Sequence, residues 1–336
     1  MQALVLSPEQ RSALTLTSFQ HLAGFLVAPT AYALKKGHVF ELFKQRKTVT
    51  VEELRWATEG NVAYLQLALD LLCGQGWVQR ATHQGQITFT PTTKGLIAFD
   101  LVDVYRTTLQ CLPIGMEMNE NWQNGFLANN FELFRLLMQH HEEDWHVGAT
   151  PDPLTQVVQE EMLDHLEGMI VGPILVALSR NGFFEKVNAE HASFKLADHT
   201  NNTEQWQEVF DFLTSLAWFT HEGDAYQLTA KGLYLSEQAH TYGLVVSYLP
   251  SFTCMSELLY GHPRKLWEKS EESPNQVLHR DTRLYAWASA KTVDTPLQQR
   301  SVCLTQLFDR PLVEQAPDAT NFLFSNQAQQ RSYRQQ

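Results

Sequence analysis

The chain of 336 residues contains a weak internal duplication, and this repeat constrains the fold more than any other feature of the sequence. Five residues recur 144 positions later: Gly24, Val27, Pro29, Ala33 and Leu34 return as Gly168, Val171, Pro173, Ala177 and Leu178. At offsets of 141 and 137, Trp77 returns as Trp218 and Lys94-Gly95 returns as Lys231-Gly232. We therefore expect both halves to contain the same elements in the same order.

The first copy has the pattern of a winged helix. A capping pattern at residues 7–10 predicts the start of a long helix that Pro29 should bend. The N-cap residues Thr50 and Asn61 predict two shorter helices, after a short apolar turn at 39–43. Short apolar segments on either side of a polar turn at 82–85 predict a two-stranded wing.

The second copy follows the same plan. Apolar residues recur every four positions between Val158 and Leu178 and predict a long helix with one apolar stripe. Asn202 or Thr203 is expected to cap a later helix, and the Gly223-Asp224 turn predicts a second wing.

These patterns predict a mainly α protein built from two tandem winged-helix-like repeats, each with helices and a small β-hairpin wing. A helical insertion separates the repeats, and a helical, lid-like segment follows them. The expected boundaries are 1–100 for repeat 1, 101–150 for the insertion, 151–240 for repeat 2, 241–318 for the lid-like segment and 319–336 for a polar, disordered tail.

Charge and composition narrow the classes of function. The chain has 25 basic and 37 acidic residues, a net charge of −12, and 44% hydrophobic residues, so it can bury a substantial core. The most apolar early stretch, 22–34, is too short to span a bilayer and no basic segment precedes it. The sequence therefore predicts a cytoplasmic protein with no membrane partner.

The helices that would read DNA have the wrong charge for that role. Major-groove readers use Arg, Lys, Asn or Gln, but the helix after Asn61 offers only Gln66 and carries Asp70. The corresponding stretch 203–218 has three acidic residues and no Lys or Arg. We therefore predict no nucleic-acid partner.

A stretch near the carboxyl end resembles a known family. Residues 259–267, Leu-Tyr-Gly-His-Pro-Arg-Lys-Leu-Trp, together with 281–289, resemble the winged-helix and lid region of S-adenosylmethionine-dependent methyltransferases in polyketide synthase loading modules. The resemblance covers roughly residues 1 to 316 and is most specific at Gly261, Pro263 and Trp267. It implies a lid over a substrate chamber.

The chain also departs from that family. The family's His-Val-Asp-Arg stretch corresponds to Leu278-His279-Arg280-Asp281, and its Ser-Gly-x-Ala-His element corresponds to Ser289-Ala290-Lys291-Thr292. The sequence contains no Asp-x-Gly-x-Gly turn, and the chain after Pro317 is too short for a nucleotide-binding sheet. We expect no cofactor and no methyl transfer by this chain on its own, and whether it is an enzyme of another kind stays open.

Three groups of residues are candidates for a site. His279 and Asp281 are candidates for an acid/base pair, with a structural ion pair as the alternative. Candidates for a substrate-binding chamber, with core packing as the alternative, are Trp267, Tyr285, Trp287, Met116 and Trp122. His140, Asp144 and His146 are candidate metal ligands, with a solvated helix end as the alternative.

We interpret the chain as a non-catalytic, methyltransferase-lid-like subunit that binds or shields a hydrophobic substrate or partner protein in polyketide-type secondary metabolism. The expected partners are a separate methyltransferase or polyketide synthase chain, or a second copy that packs through the stripe at 158–178, with packing of that stripe inside the chain as the alternative. The alternatives are an enzyme that reuses the lid chamber without S-adenosylmethionine, a winged-helix transcriptional regulator and a truncated gene product.

Overall fold

A computed structural model describes residues 6–83, 85–143, 152–190, 193–261, 281–290, 297–299 and 301–302. These residues are mainly helical, and their β-structure consists of two antiparallel hairpins of two strands each. The predicted fold class is confirmed.

The first half begins with a long helix and ends in a wing. Its elements are α1 (Pro8–Lys36), α2 (Val39–Arg46), α3 (Val51–Thr58), α4 (Val62–Gly74), β1 (Val78–His83) and β2 (Gln86–Pro91). Ser7 and Thr50 both form capping boxes, and the Asn61 side chain caps α4, as their patterns predict. The expected turn at 39–43 is instead helical, because Val39, Phe40 and Phe43 form one buried face of α2.

Three helices connect the two halves: α5 (Thr93–Leu101), α6 (Tyr105–Asn124) and α7 (Ala128–Glu143). The second half contains α8 (Pro153–Arg180), α9 (Phe183–Glu190), α10 (Thr203–Ser215), β3 (Phe219–Glu222), β4 (Ala225–Leu228), α11 (Ala230–Glu237), α12 (Ala239–Val246), α13 (Leu249–Phe252), α14 (Met255–Tyr260) and α15 (Thr282–Ala290). Asn202 directly precedes α10, but its side chain makes no capping hydrogen bond to the helix backbone.

The two wings are held by the same set of contacts. The Thr92 hydroxyl donates to the Gly76 carbonyl oxygen at 2.7 Å, and the Thr229 hydroxyl donates to the Ala217 carbonyl oxygen at 2.7 Å. The Lys94 ammonium donates to Gln75 O and the Lys231 ammonium to Leu216 O, each at 2.8 Å. The sequence duplication is therefore repeated in the hydrogen bonds.

The core is centred on the packing of α1 against α8. A Cβ atom added to Gly24 would overlap the backbone of His165, and one added to Gly168 would overlap the backbone of His21. The two helix backbones therefore touch where the repeated glycines lie. By length and composition α8 could cross a membrane, but 78% of its most apolar 18-residue window is buried inside the protein.

Candidate ligand cleft

A buried polar cluster lies where α1 crosses α8. His21 Nδ1 is 2.8 Å from the Tyr242 hydroxyl, and His165 Nδ1 is 2.8 Å from the Tyr105 hydroxyl. The histidines are 144 positions apart and the tyrosines 137, so the two pairs obey the offsets of the duplication. Both His–Tyr pairs are therefore equivalent parts of the two repeats.

The protonation of His165 follows from its partners. Its Nε2 lies 3.2 Å from Gln20 Oε1, which can only accept, so Nε2 carries the proton and Nδ1 accepts from Tyr105. Burial, with a smaller effect of Lys94, lowers the pKa of the His165 ring to about 3. His165 is therefore neutral at physiological pH and cannot act as a charged group there.

Carboxylates on α8 face the lysines of both repeats, but the two sides differ. Glu161 accepts from the Lys94 ammonium and, at 3.2 Å, from Trp77 Nε1. On the other side Lys231 lies 4.0 Å from Glu167, and the buried Trp218 Nε1 has no hydrogen-bond partner among the described residues. The second repeat therefore lacks the strong ion pair of the first.

Burial and neighbouring carboxylates also raise the pKa of carboxyl groups on α8. The pKa of Asp164 is raised to about 7, first by burial and then by the charge of Glu167. Burial likewise raises the pKa of Glu167, with Lys231 acting against it. Both histidines and both tyrosine rings are buried, and a hydrogen-bonded network of this kind helps to specify how two helices pack.

A cleft that opens to solvent lies elsewhere, where α6, α8, α12, α13 and α15 meet. Its volume is about 180 Å³. Its apolar wall consists of Met116, Pro173, Val176, Val246, Pro250 and Leu284. Met116 is 42% exposed and marks the opening, whereas Val176 and Val246 are buried at the inner wall.

Three polar side chains also line this cleft: Asn119, Arg180 and Asp281. Arg180 lies in the last turn of α8, and the described residues provide it with no hydrogen bond or ion pair. Asp281 precedes α15, and its Oδ1 accepts from the Leu284 backbone N–H at 2.8 Å. The cleft therefore presents one cation and one anion within an aliphatic wall.

The structure separates the residues predicted to line a chamber. Met116 lines the cleft, but Trp122 is buried in an aromatic cluster with Trp206 and Phe183. Tyr285 contacts Tyr248 edge to face and Trp287 stacks on His240 at 4.1 Å, and neither lines the cleft. Trp267 lies outside the described residues.

The candidate catalytic and metal residues are brought together only in part. Asp281 lies at the cleft, but its carboxylate caps α15, and His279 lies outside the described residues. Asp144 and His146 also lie outside them, as does the side chain of His140. Within the described part of the chain, no group of three His, Cys, Asp or Glu side chains could hold a metal ion.

Arg180 and Asn119 were not predicted as site residues. The repeat does place a cation at Arg180, because Lys36 is its counterpart 144 positions earlier. Lys36, however, lies over the Tyr32 ring at 4.9 Å, so the repeat alone does not indicate a cleft at Arg180.

Two segments of this fold match family models. Residues 14–80 match the AprA N-terminal domain, and residues 167–262 match the AprA winged helix domain. These two segments are similar to AprA-type domains. The AprA-type N-terminal segment includes His21 and Gly24, and the AprA-type winged-helix segment includes Gly168, so the helix crossing joins the two. No curated protein sequence matches the chain at a significant level.

Proposed function

We propose that this chain is a non-catalytic binding module that holds a small, largely aliphatic molecule in the cleft between α6, α8 and α15 for a separate catalytic chain. The observation that carries the proposal is the cleft itself, with its aliphatic wall and its opening at Met116. The resemblance of residues 259–267 to methyltransferase lids supports polyketide-type biosynthesis as the setting.

The size of the cleft suits a small ligand. An engineered apolar cavity of about 150 Å³ holds benzene, which has six heavy atoms. At about 180 Å³, this cleft has room for slightly more. Small-molecule sites are concave and mostly apolar, with a few polar groups that orient the ligand.

The structure of the winged helices supports this function over DNA recognition. Helix α4 buries its apolar residues against the core, and its Asp70 carboxylate is held by Gln66 and Arg80 at 3.0 and 3.2 Å. Helix α10 presents acidic residues of its own and has no Lys or Arg. Both helices would repel a phosphate backbone.

The alternative of an enzyme centred on Asp281 has less support. A catalytic carboxylate needs to reach a reacting group, but Asp281 already accepts the backbone N–H of Leu284, the third residue of α15. All strands of the described residues belong to antiparallel hairpins, and such hairpins do not form a nucleotide-binding sheet.

Saturation-transfer NMR with pentanamide, an uncharged probe of the right size, tests the binding function. We expect transfer to the alkyl protons in the native chain and a loss of at least about tenfold in affinity in Met116→Trp, because the larger side chain fills the opening. Leu127→Trp is the matched control, since Leu127 is 71% exposed and does not line the cleft. No transfer in the native chain, or equal transfer in both variants, would contradict the proposal.

Calorimetry tests the non-catalytic part. Titration of the full chain with S-adenosylmethionine should release no heat of binding at micromolar concentration. Saturable micromolar binding would require a methyl-donor site and would overturn this part of the proposal.

A further inference from the structure

The two charged side chains of the cleft are not paired with each other. Arg180 and Asp281 both line it, but no ion pair within 4.0 Å joins them. Arg180 makes no hydrogen bond or ion pair with any described residue. This is unusual in a chain with a net charge of −12, which offers many acidic partners. A cation beside an aliphatic wall that has no protein partner favours an ion pair with an anionic group of a ligand.

Asn119 adds a second donor beside Arg180. Its side-chain oxygen and its backbone oxygen both accept from Asn181 Nδ2 at 3.3 Å. Because these bonds hold the side-chain oxygen of Asn119, its amide group keeps a fixed orientation. The amide N–H groups of Asn119 have no partner among the described residues. Arg180 and Asn119 together supply the donors that a carboxylate requires.

Asp281 supplies an acceptor in a fixed position. Its backbone N–H donates to Ser247 O at 2.8 Å, and its Oδ1 caps α15 through Leu284 N at 2.8 Å. Its second carboxylate oxygen accepts no hydrogen bond from the residues that the structure describes, so it can face a cationic group. A ligand with both charges would therefore neutralise both side chains, whereas a simple anion would neutralise Arg180 and leave Asp281 unpaired.

We propose that the cleft binds a small aliphatic zwitterion of the α-amino acid type. Its carboxylate is bound by Arg180 and Asn119, its ammonium group by Asp281, and its side chain contacts Met116, Val176 and Val246. This inference rests on the proposed function, in that the cleft must be a ligand site. By comparison with the six heavy atoms of benzene in about 150 Å³, the volume fits about seven heavy atoms, one fewer than norvaline has.

Competition of four probes of similar length tests the charges: norvaline, pentanoate, pentylamine and pentanamide. We expect the full chain to bind norvaline at least about tenfold more tightly than pentanamide, with the singly charged probes between them. If pentanamide binds and norvaline binds no more tightly, the zwitterion is wrong and the binding function stands. If no probe binds, both proposals fail.

Two variants assign the charges. Arg180→Gln should weaken norvaline and pentanoate about tenfold and leave pentylamine unchanged. Asp281→Asn should weaken norvaline and pentylamine, and it keeps the cap because Asn caps helices as well as Asp. Arg55→Gln and Asp100→Asn are controls that remove the same charges far from the cleft and should have no effect. Norvaline binding that is unchanged in both cleft variants would overturn the proposal.

Discussion

Gly24 and Gly168 allow the backbones of α1 and α8 to touch, and a methyl group at either position has no space. Gly168→Ala should lower the free energy of unfolding by about 2 to 3 kcal/mol, because the two helices must separate. Gly74→Ala is the control: no atom lies within 4 Å of the added Cβ, and helix propensity should raise stability by up to about 1 kcal/mol. Urea unfolding measures both, and equal small effects would contradict the crossing.

The half-buried carboxyl of Asp164 should make the stability of the protein depend on pH. Its pKa is raised from 3.8 to about 7, and the charged groups facing it are Glu160, Glu161 and Glu167 on α8 and Lys231 on α11. Between pH 4 and 7 the native state holds a proton that the unfolded state releases, so this group favours folding below pH 4 and its contribution is lost as pH rises through 7.

Asp164→Asn should remove this loss of stability with rising pH, while every other titratable group is kept. We expect the stability of the variant relative to the native chain to increase from pH 4 to pH 7, measured by urea unfolding. In Asp152→Asn the difference should stay constant over that window, because hydrogen bonds from Thr155 lower the pKa of Asp152. A constant difference for Asp164→Asn would show that its carboxyl is not perturbed.

Some single residues were predictable and others were not. The glycines follow from the repeat, and His21, His165, Tyr105 and Tyr242 obey its offsets, so a complete alignment of the two halves would have found them. Trp122 packs against Trp206, in line with the core-packing alternative; the sequence left the choice open because an apolar helix face does not say which neighbour covers it.

Among the elements, the loop that closes each wing is held by a threonine. Thr92 accepts from the Gly95 N–H at 2.9 Å, and Thr229 accepts from the Gly232 N–H at 3.0 Å. Thr92→Ala and Thr229→Ala should each lower the free energy of unfolding by about 1 kcal/mol, because each removes an N-cap. Thr90→Ala, on the exposed side of β2, should have little effect. A large difference between the two cap variants would mean that the wings are not equivalent.

Helix starts could be predicted because their signals are local. The Thr50–Glu53 capping box needs only residues three positions apart, and it forms as predicted. The start of helix α2 could not be predicted, because it depends on the positive φ of His38 and on burial of Phe40 against Phe99. Such contacts join residues far apart in the chain.

For the whole molecule, the crossing of α1 and α8 makes the repeats depend on each other. The two long helices pack against each other along their buried faces, so we expect a single cooperative unfolding transition. Urea curves from far-ultraviolet circular dichroism and from tryptophan fluorescence should coincide. Two separated transitions would show that the repeats are stable alone.

The duplication of elements could be predicted from the sequence, but the cleft could not. Its wall combines α6, α8, α12, α13 and α15, and residues as distant as Met116 and Leu284 meet there. Only their packing shows that Arg180 and Asp281 share one cavity.

Methyl NMR of the full chain, with its seven methionines labelled, tests the binding cleft most directly. Met116→Leu assigns the cleft signal. On titration with pentanamide, the Met116 methyl resonance should shift in a saturable way, while the buried Met162 and Met118 signals stay in place. If the Met116 signal does not move, or if shifts are confined to other methionines, the cleft is not the ligand site.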